Sequence, residues 1–194
     1  MVVVGLAAMT SGCDEAAATD TDMQRWRADP TARSLCDFEG RRVSVETELS
    51  SFMRWSPGVS KILKHQRTTE LDENFRWTIV CHGTDTDSPT VQFHTLPDPG
   101  MDSRRVHLDL GIDPATSSHT FLITSDQPAT DFQFEPVNDE NCGASFRLYV
   151  TATDGRRWAI RPNPIPSGAS GSFMGVVAAS EDPADDPYFS LQPM

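Results

Sequence analysis

The 194-residue chain lacks any apolar run long enough to cross a bilayer as a helix, which takes about 20 residues. It also lacks a surplus of bases. Residues 1–24 carry four acids and no base, 25–76 ten bases against eight acids, and 77–194 six bases against sixteen, for a net charge of −12. A surface of that sign repels phosphate backbones, so nucleic acid is disfavoured as a partner and none is expected. No two of the four cysteines have the close spacing of a zinc knuckle or a redox dithiol. There is no HExxH helix and no glycine-rich phosphate loop. The run GASGS at 168–172 is not a nucleophile elbow, because Ser172 stands where the second glycine is needed. Asp85/Asp87 and Asp182/Asp185/Asp186 lack the twelve-residue geometry of a helical calcium loop and read as solvated turns. There is no internal repeat and no βαβ alternation.

What is present begins with Val2 to Met9, a short apolar run, followed by Thr10, Ser11, Gly12 and Cys13 and then the polar stretch DEAAATDTD. A short apolar core with small residues at a processing point has the form of a secretory signal. Residues 1–13 resemble the signal of bacterial lipoproteins, in which a cysteine preceded by small residues is lipidated and becomes the new first residue. The resemblance implies acylation at Cys13, palmitate being a typical chain, and attachment to a membrane of the bacterial cell envelope. Two or more chains are needed, since one binds only marginally. The alternatives are a soluble signal cut near Ala16 to Ala18, giving a periplasmic or secreted protein, and a buried amino-terminal segment. On the first reading, 1–13 is the signal, 14–33 a tether with a short helix capped by Asp22, 34–180 a β domain, and 181–194 an acidic tail or edge strand.

With Cys13 taken by lipid, Cys36, Cys81 and Cys142 remain in an oxidising compartment. One disulfide and one thiol follow, and three pairings are open. Cys36 with Cys81 or Cys142 is expected, because Cys36 and Cys142 sit just outside apparent strands.

From Val43 onward the pattern has period two. Val43, Val45, Thr47 and Leu49 alternate with polar residues, and the same phase reaches Met53 and Trp55. After Ser56-Pro57-Gly58, the spacing of Val59, Ile62 and Leu63 predicts a two-turn helix; another short helix is expected at 32–37. Further strands are expected at Phe75–Cys81, Val91–Thr95, Val106–Leu110, Phe121–Ile123, Phe132–Phe134, Phe146–Val150, Trp158–Ile160, Phe173–Val177 and, as an edge, Tyr188–Leu191. Asp154-Gly155 marks a hairpin. A three-residue loop with Gly155 left-handed puts Val150 opposite Trp158, keeping apolar with apolar. The expected fold is all-β, an antiparallel β-sandwich with short helices near the amino terminus and between the first two strands. The alternative is an OB-like barrel, on the loose likeness of Gly40 to Val45 to the opening strand of that fold.

The histidines are the one constellation with chemistry. His82, His94, His107 and His119 recur every twelve or thirteen residues. A hairpin with Phe93 opposite Leu108 sets His94 opposite His107 and Gln92 opposite Asp109. Two imidazoles and a carboxylate suit zinc or copper, with His82 as a further ligand. Equally, histidine is one polar choice for an outward-facing position, and then no cofactor is implied. Trp55, Trp77 and Trp158 share the phase of apolar neighbours and are expected in the core; Trp26 alone is outside it. Two functions follow: a membrane-tethered, non-catalytic binding or assembly domain for protein or glycan, or an exported metal-binding protein or enzyme using the histidines.

Overall fold

A computed structural model describes residues 34–56, 60–83, 88–95, 104–107, 122–124, 126–137, 144–152 and 154–193. The fold is all-β and antiparallel, in the manner of a sandwich or barrel, with no helix of seven residues or more among the described residues. Twelve strands form one connected sheet. They are β1 (Arg42–Thr47), β2 (Ser51–Ser56), β3 (Ser60–Gln66), β4 (Trp77–His82), β5 (Thr90–His94) and β6 (Arg105–His107), then β7 (Leu122–Thr124), β8 (Phe132–Pro136), β9 (Ala144–Thr151), β10 (Arg157–Pro162), β11 (Gly171–Ala178) and β12 (Phe189–Pro193).

The sheet is forked. One edge of β1 pairs with β12, while the other is shared by β4 at Arg42 and Val43 and by β2 at Glu46 and Thr47. β9 carries β8 on one edge and divides the other between β12 and β10. β3 pairs with β2 and divides its far edge between β11 and β7. β5 pairs with β4 and divides its far edge between β8 and β6. Among the described residues each of the twelve strands therefore has neighbours on both sides along at least part of its length, which shortens the unpaired N–H and C=O rows that make edge strands prone to association. Twelve strands so joined exceed the five of an OB barrel.

Inside lie Trp77, Ile79, Phe93, Phe146, Leu148 and Phe189, each 1% exposed or less. The tryptophans behave as their phase requires. Trp55 and Trp77 are buried, and their indole N–H groups donate to the carbonyls of Glu73 and Met53, both at 3.2 Å. Trp158 packs half-buried against the same core, and Trp26 lies outside the described residues. The β9–β10 hairpin has the expected register, Trp158 against Val150, with Gly155 at φ 83°. Tyr149, on the other face of β9, is also buried, with the Arg157 guanidinium 3.5 Å from its ring centre.

Several expectations are corrected. The helix predicted from Val59, Ile62 and Leu63 is instead strand β3, in which Leu63 and His65 are buried while Lys64 and Gln66 are half-buried. A polar residue on the core face broke the apolar alternation and left a misleading helical spacing. The single strand read from Val43 to Trp55 is a hairpin, Thr47 facing Ser51 across a three-residue turn that ends at Ser50, φ 52°. The segment Tyr188–Leu191 is no edge: β12 sits between β1 and β9. The helix at 32–37 appears as a 3-10 turn, Leu35–Phe38, capped by Ser34. The helix beginning at Asp22 lies outside the described residues.

Candidate functional site

The histidines are placed one per strand, but not as a converging set. The residue across from His94 is Arg105 on β6 and Thr78 on β4, not His107. The connection from β5 to β6 is long, so no turn geometry fixes the register, and the pairing slipped by two residues from the expected one. His94 Nε2 and Gln92 Oε1 are 2.9 Å apart, and Gln92 Nε2 donates to Asp131 at 2.9 Å, which turns the amide oxygen toward the imidazole. Burial, then the charge of Arg105, then His82 hold His94 below the usual histidine range. A guanidinium beside the ring also opposes any metal cation there. His107 Nδ1–H donates to the Pro128 carbonyl at 2.9 Å. His82 is exposed at the end of β4. Asp109 and His119 lie outside the described residues, and among the described residues no three His, Cys, Asp or Glu side chains converge.

Of the two cysteine pairings expected, Cys36–Cys81 forms, with Cα atoms 5.7 Å apart. It ties the 3-10 turn at Leu35–Phe38 to β4. The Glu39 carboxylate accepts the Cys81 N–H at 3.3 Å beside it. Cys142 and Cys13 lie outside the described residues.

A buried polar chain, which the sequence did not announce, crosses the core behind β3. Leu49 N–H donates to Thr47 Oγ1 at 3.3 Å, and Thr47 Oγ1 is 2.7 Å from Ser51 Oγ. Ser51 Oγ is 2.8 Å from His65 Nδ1, and His65 Nε2 is 2.9 Å from the Asn163 carbonyl. The carbonyl can only accept, so Nε2 bears a proton. Nδ1 of the neutral ring then accepts from Ser51, whose oxygen accepts from Thr47. Burial, the largest cause, and Arg67 lower the His65 pKa, against the opposing bond to Asn163, so neutrality is the favoured state. A serine bonded to a histidine invites comparison with a nucleophile and its base. Both side chains here are 0% exposed. So placed, the hydrogen-bonded series pins β2 and β3 to the segment after β10.

The outward residues of the same strand line an open groove of about 490 Å³. Arg54 of β2 lines it together with Lys64 and Gln66 of β3 and with the Pro166–Ser172 segment. Phe173 of β11, expected in the core, is 41% exposed at the rim. Lys64 Nζ stands 5.5 Å from the Phe173 ring centre, and Arg54 Cζ 5.6 Å from that of Phe75. Arg54 also donates to the Gln66 side chain. The loop is tied to the end of β3: Arg67 N–H donates to the Ser170 carbonyl at 2.8 Å, and Gly168 turns at φ 80°. A Cβ at Gly171 would overlap the His65 carbonyl oxygen, so only glycine lets β11 approach β3 this closely. A second groove, of about 480 Å³, has the opposite sign, with Glu48, Asp185 and Asp186 facing Arg161. No known family matches the chain, and comparison with curated proteins and with solved structures yields no match either.

Proposed function

We propose that this chain is exported, fastened to a bacterial envelope membrane through acyl chains on Cys13, and that its β domain binds a partner rather than catalysing a reaction. The observation that carries the reading is the Cys36–Cys81 disulfide, since such bonds persist in oxidising compartments and are rare in the cytosol. The signal-like residues 1–13 supply the address and the acceptor thiol. A serine–histidine pair buried in the core and an open groove that gathers two cations and an exposed aromatic ring support recognition over catalysis. No helix among the described residues is long and apolar enough to cross a membrane, so on this reading the anchor is the lipid.

Mass spectrometry of the full chain, expressed in a bacterial host and taken from its membrane fraction, tests this. The expected protein begins at Cys13, carries the mass of its acyl chains and lacks two hydrogens for the Cys36–Cys81 bond. A Cys13→Ala variant leaves the membrane fraction. A soluble cytosolic chain that retains Met1 and a free Cys13 thiol overturns the proposal.

A further inference from the structure

The groove between β2, β3 and the Pro166–Ser172 loop has a sign opposite to that of the protein. The chain carries a net charge of −12, yet the groove is lined by Arg54 and Lys64 and by no acid. Neither cation meets a carboxylate among the described residues. We propose that this groove binds an acidic oligosaccharide, with Lys64 and Arg54 meeting its carboxylates and Phe173 stacking on the apolar face of a sugar ring. The inference rests on reading the chain as a binding domain and gives that reading a site and a ligand class.

Three features favour a charged sugar. Lys64 Nζ, 5.5 Å from the Phe173 ring centre, presents a cation and an aromatic surface together, matching a ring that carries a carboxylate on one edge and C–H groups on its face. Gln66 and Ser170 add an amide and a hydroxyl for sugar hydroxyls. The loop is already pinned to Arg67 through the Ser170 carbonyl, so little ordering cost attends binding. An acidic peptide fits less well. At the groove β3 is paired on both edges, with β2 and with β11 over Lys64 to Gln66, so an extended peptide finds no free strand edge there, and the single exposed aromatic of the groove offers no row of pockets for an amphipathic helix.

Isothermal titration of the full-length protein with oligogalacturonate tests this, against a neutral maltooligosaccharide and a poly-glutamate of matched charge. Oligogalacturonate is expected to bind, with affinity falling as salt rises. Lys64→Glu and Phe173→Ala are each expected to weaken it roughly tenfold or more with the melting temperature held, while Tyr188→Ala, at the other exposed aromatic ring, leaves it unchanged. If the groove variants fail to fold, chemical-shift changes of the wild type on titration must centre on Lys64, Gln66 and Phe173. Absence of binding, equal binding of the neutral sugar, equal binding of poly-glutamate, or shifts centred elsewhere overturns the proposal. The Cys13 mass is read separately. An acylated protein that ignores oligogalacturonate refutes the groove alone, and an unacylated one that binds it refutes the anchor alone.

Discussion

Replacing Cys36 and Cys81 together by alanine removes the one covalent tie between the 3-10 turn at Leu35–Phe38 and β4. The bond spans 45 residues, and closing a loop of that length restricts the unfolded chain by about 13 cal/mol/K, or about 4 kcal/mol at 25 °C. Both cysteines pack against the core, so truncation adds a packing loss and no relief. Domains are stable by only about 5–15 kcal/mol, which makes the bond a large share of the whole. At roughly 2–4 °C per kcal/mol for a domain of this size, the double variant should melt about 8–16 °C below wild type. Urea unfolding is the direct assay. Its midpoint should fall, and its slope should rise, because an uncrosslinked unfolded chain exposes more surface. Each single variant should resemble the double one, since either breaks the bond. Wild type treated with reductant should match them. A double variant within about 1 kcal/mol of wild type, with an unchanged slope, would show that the loop-entropy reasoning fails for this domain.

The buried histidine makes stability depend on pH. The folded state holds His65 neutral and lowers its pKa below 6.5, so in the window between that lowered value and 6.5 the unfolded chain binds the extra proton. Stability is then fully present above pH 6.5 and falls on acidification by up to about 1.4 kcal/mol per pH unit for each proton. His94, lowered in the same direction, steepens the fall. Urea midpoints between pH 7.5 and 5 should drop accordingly, and His65→Gln should flatten the curve while lowering its plateau by about 1–3 kcal/mol through partners left unmatched; an unchanged slope in that variant refutes the assignment. Ser50 holds φ 52° without being glycine, so Ser50→Gly should raise stability by about 0.5–1 kcal/mol in thermal melts, and a loss there refutes the strain argument.

How much the sequence disclosed depends on where the constraints lie along it. The β9–β10 register was legible because Asp154-Gly155 limits the turn to a few geometries and only one of them matches apolar residues across the strands. The β1–β2 turn was hidden by parity. Thr47 and Ser51 are both odd-numbered, so three intervening residues leave the alternation unbroken and two strands read as one. β3 was lost because its core position is filled by His65, whose partners Ser51 and Asn163 stand far away in the chain and cannot be matched to it by any local rule. The disulfide was narrowed to two pairings but not chosen, since cysteine spacing carries no distance in space. The shift of His94 from His107 to Arg105 has the same root as the others: a long connection leaves register to the packing of both faces.

β3 also shows why the groove escaped notice. In a strand, neighbours point to opposite faces, so one peptide serves two environments: Leu63 and His65 lock the interior, and Lys64 and Gln66 furnish the exterior. The apolar signal that marks a strand comes only from the inward set, and here that set contains a histidine. Phe173 is the converse, an apolar residue spent on the surface where β11 meets β3. Each position violates the inside–outside rule in the direction that conceals it, one polar and buried, the other aromatic and exposed, and the two lie on paired strands. The Ser172↔His65 and Phe173↔Lys64 pairing makes the glycine beside them obligatory and draws the loop over the groove. Both departures cost stability, the first unless every hydrogen bond is made and the second through apolar area left in water. The first cost is met in full by Ser51 and Asn163. Among the described residues the second is offset by the ammonium of Lys64, 5.5 Å from the ring centre, and the cost that is left at an oppositely charged groove is the physical reason to look for a ligand there.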